Sequence, residues 1–286
     1  MLWRATLLFG AALSIWSGAP QAAEATPQRG LTVGVAPYLS TRTLLGVYQP
    51  LQAHLHRQLA TKVDVFTAAD FRAFYLNAIE GDYDLAIMPA HLARLAQMEH
   101  GFVPLVRYTS GARGLVVTKA GSSIANPEGL RGQKVAVPDR LTLATILCLE
   151  WLKARNIRVD RDFQVVQTPS FNSAMYALEH DEAVAAIAAP AALAQMEPQL
   201  REKIRVVVDT GDYINLVYLA HPRVEPKARA RLKDALLEFA REASGRRFFS
   251  DTGFGDFAEA APGDLKPLDP YLAETKRLLH AAQPAR

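Results

Sequence analysis

The sequence predicts an α/β protein of two lobes, each a mostly parallel sheet flanked by helices, joined by two hinge crossings. Three observations predict it. From Leu31 onward, short β-branched or apolar runs alternate with amphipathic helical stretches, the pattern of strands that return through helices. The alternation is interrupted by a polar, turn-rich stretch over 120–129 and restarts at Lys134. It changes again near Asp212, where an apolar run over 214–220 has no helix paired to it. The expected division is 28–118 with 215–286 for the first lobe and 119–214 for the second.

The first strand is expected over 31–36, closed by Pro37-Tyr38-Leu39-Ser40. A looser segment follows, and a helix opens at Gln49-Pro50-Leu51, with Leu51, Leu55 and Leu59 on one stripe and Pro50 in its first turn. Strands are expected at 62–66 and 84–88. Asp70 caps the helix between them, and Pro89-Ala90-His91 forms the turn into the next helix. Two more strands, 103–108 and 114–118, precede the polar stretch. In the second half, the strand at 134–137 ends at Pro138, and a helix over 141–152 is apolar on nearly every face, as a helix packed on several sides would be. A strand at 163–168, a helix at 172–180, an alanine-rich strand at 183–188, a short helix at 191–196 and a strand at 204–208 follow. The C-terminal part carries an amphipathic helix over 226–242 and a last helix over 271–280, and is expected to return to the first lobe.

Composition narrows the class. Residues 1–25 carry one early cation, Arg4, an apolar run too short to span a bilayer, and Ala23-Glu24-Ala25, and so read as a cleavable signal peptide for export. About 260 residues would remain, enough for two lobes. The single cysteine, Cys148, lies in the apolar helix and cannot form an internal disulfide, so burial must stabilise the fold. Formal charge is only +3, with no basic stripe interleaved with aromatics, which argues against nucleic acid. No Gly-x-Ser-x-Gly, P-loop, dinucleotide turn or His-Glu-x-x-His occurs. His54 and His56 fall on different sides of their helix. No enzyme, metal or cofactor is expected.

A resemblance to a known family rests on an ordered set of motifs. Tyr48-Gln49-Pro50-Leu51, Leu55, Leu59 and Lys62-Val63-Asp64-Val65 resemble the opening of the phosphonate, phosphite and phosphate binding proteins of ABC importers. Asp70-Phe71, Asp84-Leu85-Ala86-Ile87, Ser123-Ile124 and 130–136 continue the likeness over nearly the whole chain after the signal. The resemblance implies the type II periplasmic-binding fold, a periplasmic location, a monomer working with an ABC permease, and a cleft that closes on a small oxyanion. The pocket departs from the family pattern. Thr142-Leu143-Ala144-Thr145 stands where members often have Ser-Thr-Ser-Gly, Phe171 where many have His, Phe71 where Tyr is usual, and Asn215 at an acidic position. An aminophosphonate is therefore the first ligand to drop. The same fold would equally serve a sensor or partner subunit, or a receptor for a different small organic ligand.

The residues expected at the ligand come from the strand-to-helix turns, whose free N–H groups attract anions, from the crossing, and, for Phe71 and Asn215, from what the resemblance implies. They are Tyr38 and Ser40 after the first strand, Phe71, His91, Arg113 near the crossing, Arg140 and Thr142 before the buried helix, Ser170 and Asn172 at the next helix start, and Asn215. Arg113 and Thr142 are expected on opposite sides of the cleft. His91 serves equally as a helix cap or a ligand contact, and Arg140 as a ligand donor or a partner of Asp139.

Overall fold

The computed structural model describes residues 30–194 and 196–281; the expected signal peptide lies outside them. Elements in chain order are β1 (Leu31–Val35), α1 (Thr41–Leu59), β2 (Val63–Phe66), α2 (Phe71–Glu80), β3 (Leu85–Pro89), α3 (Ala90–His100), β4 (Val103–Tyr108), β5 (Gly111–Ala112) and β6 (Leu115–Lys119). The second half holds β7 (Lys134–Val137), α4 (Leu143–Lys153), β8 (Gln164–Gln167), α5 (Phe171–Glu179), β9 (Ala185–Ala188), α6 (Pro190–Ala194), α7 (Pro198–Arg201) and β10 (Ile204–Asp209). The chain then returns through β11 (Tyr213–Ile214), β12 (Leu216–Ala220), α8 (Pro226–Arg241), α9 (Ala243–Thr252), β13 (Phe257–Glu259) and α10 (Leu272–His280).

Two sheets result. The first has the order β13-β4-β12-β3-β1-β2 and the second β10-β6-β9-β7-β8. β1 lies parallel between β2 and β3, and β7 parallel between β8 and β9, because helices carry the chain back over the sheet each time. β12 inserts antiparallel between β3 and β4, so the first sheet is more mixed than the sequence suggested. The two short strands β5 and β11 pair only with each other and form the crossing. β6 pairs with β9 and β10, so residues 115–118 belong to the second sheet rather than to the first lobe, as the expected border had it. Periodicity alone could not assign it, since β6 is a buried apolar run that fits either sheet.

The second correction concerns α1. It begins at Thr41, capped by Ser40, and Pro50 lies inside it instead of in its first turn. The buried stripe starts at Leu44 and runs through Tyr48, Leu51 and Leu55. Pro50 is exposed, as is Gly46 four residues earlier, so the carbonyl that loses its partner faces water. That stripe packs with Val33, Val35, Leu85 and Ile87 of the sheet and with Leu232, Leu236 and Phe239 of α8. Each such side chain contributes about 1.5–3 kcal/mol on full burial. The opposite face is covered by α2 and α3 through Phe74, Leu92 and Leu95. In the second lobe α4 and α5 cover the two faces with Cys148, Leu149 and Leu152, and with Ala174, Met175 and Leu178. Among the described residues no helix is long and apolar enough to cross a membrane.

Candidate functional site between the lobes

Five strand-to-helix turns supply the expected site residues other than Arg113 and Asn215. Three of the turn hydroxyls are helix caps. Ser40 Oγ accepts from Thr43 N at 3.4 Å, Thr142 Oγ1 from Thr145 N at 3.4 Å, and Ser170 Oγ from Ser173 N at 3.1 Å. Asp70 does the same for α2, accepting from Ala73 N at 2.8 Å. Each cap satisfies one of the amides that a helix start leaves without an intrahelical partner. The Thr142 hydroxyl also bonds within its own turn, donating to Asp139 O at 3.0 Å and lying 2.7 Å from Thr145 Oγ1, which can donate to it.

The two lobes meet at His91. It is the second residue of α3, fully buried, with Nε2 3.0 Å from the carbonyl oxygen of Leu141, just before α4. A carbonyl can only accept, so Nε2 carries the proton and Nδ1 is a bare lone pair. That Nδ1 is buried without a hydrogen-bond partner. Burial pushes the His91 pKa down to about 4, against a smaller opposite effect of the Leu141 carbonyl. The Leu141 amide is held in turn by Asp139 Oδ1 at 2.8 Å. Around this contact the junction is apolar: Leu141, Leu143, Ile146 and Leu147 share one buried cluster with Phe71, Ala90 and Leu92.

Charge enters at one side of that cluster. Burial raises the Asp139 pKa most, the Leu141 amide lowers it, and then Asp70 raises it and Arg72 lowers it. Asp70 and Arg72 of the first lobe are thus close enough to be felt by Asp139 of the second. Arg72 itself donates to Leu278 O at 2.6 Å.

The two arginines expected at the ligand are engaged elsewhere. Arg113 grips both carboxylate oxygens of Asp212, Nε to Oδ1 at 3.0 Å and Nη2 to Oδ2 at 2.7 Å, and reaches Asp209 at 2.7 Å. It therefore straps β5 to the returning crossing, and its guanidinium holds the Asp212 carboxyl below the ordinary range. Arg140 binds Asp160 through both oxygens, at 3.0 and 2.8 Å, rather than Asp139. Asp212 lies 99 residues from Arg113 in sequence, so no local pattern pointed to it.

The remaining candidates are spread over the rim and the core. The Tyr38 hydroxyl donates to Tyr48 at 3.1 Å and its ring meets Phe254 edge-on at 5.7 Å. Behind it the chain of phenols continues from Tyr48 to Tyr108 at 3.1 Å and from Tyr108 to Tyr218 at 2.6 Å. Burial pushes the pKa of all four upward. Phe71 is buried at the apolar junction, Asn215 lends its carbonyl to the Ala90 amide at 2.9 Å, and Asn172 is an exposed residue in the first turn of α5. Sequence reasoning missed Asp139 as the anchor of Leu141, and the Tyr213–Tyr271 hydroxyl pair at 2.8 Å beside the crossing. Among the described residues no group of three or more His, Cys, Asp or Glu could hold a metal ion.

Residues 33–265 match the family model described as ABC transporter, phosphonate, periplasmic substrate-binding protein. The chain is similar in structure to a binding protein component of an ABC phosphonate transporter from Pseudomonas aeruginosa, with TM-score 0.73 and 14% identity over 89% of this chain and 90% of that one. PhnD1 from Prochlorococcus marinus, solved with methylphosphonate, gives TM-score 0.74 and 14% identity over 86% and 98%. The periplasmic aliphatic sulphonate binding protein SsuA of Escherichia coli gives TM-score 0.62 and 16% identity over 88% and 94%. No curated protein sequence matches the chain.

Proposed function

We propose, since this chain belongs to the periplasmic substrate-binding proteins of phosphonate ABC transporters, that it captures a small oxyanion between its lobes and presents it to a membrane permease. The observation that carries this reading is the His91–Leu141 contact, which joins the turn after β3 of one lobe to the turn before α4 of the other. A ligand held there faces the starts of two eleven-residue helices, α3 and α4, whose first amides and dipoles favour negative charge. With Arg113 and Arg140 tied to carboxylates, the anion is held by neutral donors, not by a guanidinium clamp. Phe71, Leu141, Leu143 and Ile146 favour a ligand with an organic substituent over inorganic phosphate. The reading assigns no chemical step to the protein, places it outside the cytoplasmic membrane, and has it act as a monomer.

The test is a thermal-shift panel of phosphate, phosphite, alkylphosphonates, alkylsulfonates and carboxylates on the purified protein. A ligand at a hundred times its Kd stabilises the folded form by about 2.7 kcal/mol, a rise in Tm of roughly 5–10 °C for a chain of this size. At least one alkylphosphonate is expected to give it. No shift with any anion at millimolar concentration would overturn the reading.

A further inference from the structure

We infer that the C-terminal segment 265–280 is a latch across the two lobes: anchored on α2 and α3 of the first, it holds α4 of the second and keeps the cleft closed without a ligand. Among the described residues the chain adds no strand to either sheet after β13. It forms a short 3-10 helix, Lys266–Tyr271, and then α10. Charge ties both to the first lobe. Arg94 of α3 is buried and grips both carboxylate oxygens of Asp269, Nε to Oδ1 at 2.6 Å and Nη2 to Oδ2 at 3.1 Å. Its Nη1 donates to Gln97 Oε1 at 2.8 Å. Arg72 of α2 donates to the Leu278 carbonyl at 2.6 Å, and Lys276 Nζ lies 2.5 Å from Glu99. A buried arginine whose fork is filled makes a fixed anchor, because releasing the carboxylate would strand its charge.

The same segment touches the second lobe. Its 3-10 helix lies against α4. Leu265 and Leu268 share one buried cluster with Leu143, Ile146 and Leu147 of α4, and Tyr271 and Leu272 pack onto that cluster. The Tyr271 hydroxyl meets that of Tyr213, on the crossing strand β11, at 2.8 Å. Burial raises the Tyr271 pKa most, the Tyr213 contact adds to it, and Glu150 of α4 adds last. Asp160 and Glu150 also act on Arg277, behind its own pair with Glu274. Two chain crossings by themselves are a hinge, free to swing. Here opening must pull α4 away from the 3-10 helix, which exposes apolar surface to water. None of these contacts includes a ligand, so they favour closure in its absence. A ligand then meets a population that is already closed, and its apparent affinity is higher for that.

The experiment measures the distance between the lobes in the ligand-free protein by pulsed dipolar spectroscopy. Spin labels go on Leu45→Cys of α1 and Tyr176→Cys of α5, two exposed positions, one in each lobe, while the buried Cys148 takes none. With the latch intact, one distance is expected. Tyr271→Ala, at a half-buried position, should add a longer one, the open share rising about tenfold on loss of a hydrogen bond and its packing. Tyr213→Phe keeps both rings and removes only the hydroxyl bond. It should add the same longer distance to a smaller extent, and decides the question if Tyr271→Ala fails to fold. Lys276→Gln breaks a pair internal to the first lobe and should change nothing. A single unshifted distance in both tyrosine variants, a mixture already present with the latch intact, or an equal longer population in Lys276→Gln would each overturn the latch. All three outcomes leave the receptor reading untouched, since no anion enters the experiment.

Discussion

Single residues beside the crossing set how closely the second sheet meets its covering helix α4. Gly114 precedes β6, and its amide donates to Thr210 Oγ1 at 2.9 Å. A Cβ at this position would lie 2.4 Å from the Ala144 carbonyl oxygen and 2.6 Å from Cys148 Sγ, both on α4. Neither neighbour can move without shifting the helix that bears Leu143 and Ile146. Gly114→Ala is therefore expected to destabilise by about 1–3 kcal/mol, as overpacking does, read from the denaturant midpoint. It should also weaken anion binding, since the start of α4 would be displaced from His91. Gly111→Ala is the milder control, because its Cβ would meet only the side chain of Asp212, at 2.9 Å. The cap of α2 at Asp70 was legible in the sequence from local spacing. The caps at Ser40, Thr142 and Ser170 were not legible, Ser40's because the segment after it reads as loose. The partners of Arg113, Arg140 and His91 were not, because each lies on a segment 20 to 99 residues away and only the fold brings it near.

At the scale of elements, α1 is joined to the sheet by more than apolar contact. The Tyr48 hydroxyl, on its buried stripe, links Tyr38 after β1 to Tyr108 of β4, and Tyr108 links to Tyr218 of β12. Phe248 of α9 packs edge-on against the Tyr48 ring at 5.6 Å. Tyr48→Phe keeps that packing and removes the middle of the chain, leaving the Tyr38 hydroxyl without its acceptor. The expected cost is about 1–3 kcal/mol, measured by urea denaturation, with the far-ultraviolet spectrum unchanged. This element also shows where sequence reading stops. The helical stripe from Leu51 was plain, but Pro50 suggested a start, and nothing local revealed that the preceding turns were helical as well. The antiparallel placement of β12 is likewise fixed by its two neighbours, not by its own apolar residues. Strands β1, β2, β3 and β7 were legible because each is a short apolar run ended by a turn signal.

At the scale of the whole molecule, the state of the cleft is linked to protons. His91 has a pKa of about 4 where it is buried between the lobes against Leu141, below an ordinary 6.5, so a proton binds first to any form that exposes it. The contribution to closure is complete above pH 6.5 and is lost as pH falls toward 4. The full difference corresponds to roughly 3 kcal/mol. Opening the lobes hydrates the ring without unfolding either sheet, so acid should open the cleft before it denatures the protein. Asp139, whose pKa is raised by burial at the same junction, acts with the opposite sign, favouring the buried arrangement as it takes up its proton. Small-angle scattering of the ligand-free protein between pH 7 and 4.5 should show an increasing radius of gyration. His91→Phe should abolish most of that change, and an identical profile in the variant would sink the linkage.

The insertion of β12 into the first sheet has a consequence for the order in which the molecule can be made. All five strands of the second sheet lie between Leu115 and Asp209, so that sheet has every strand it needs once the crossing back begins. The first sheet does not. Until Leu216–Ala220 emerges, β3 and β4, though far earlier in the chain, have no strand between them and expose unpaired backbone on facing edges. The later half of the chain in space is thus the earlier to mature in time. During synthesis the exposed edges of β3 and β4 are the interval of greatest risk for misassociation, which ends only when the returning strand slots between them.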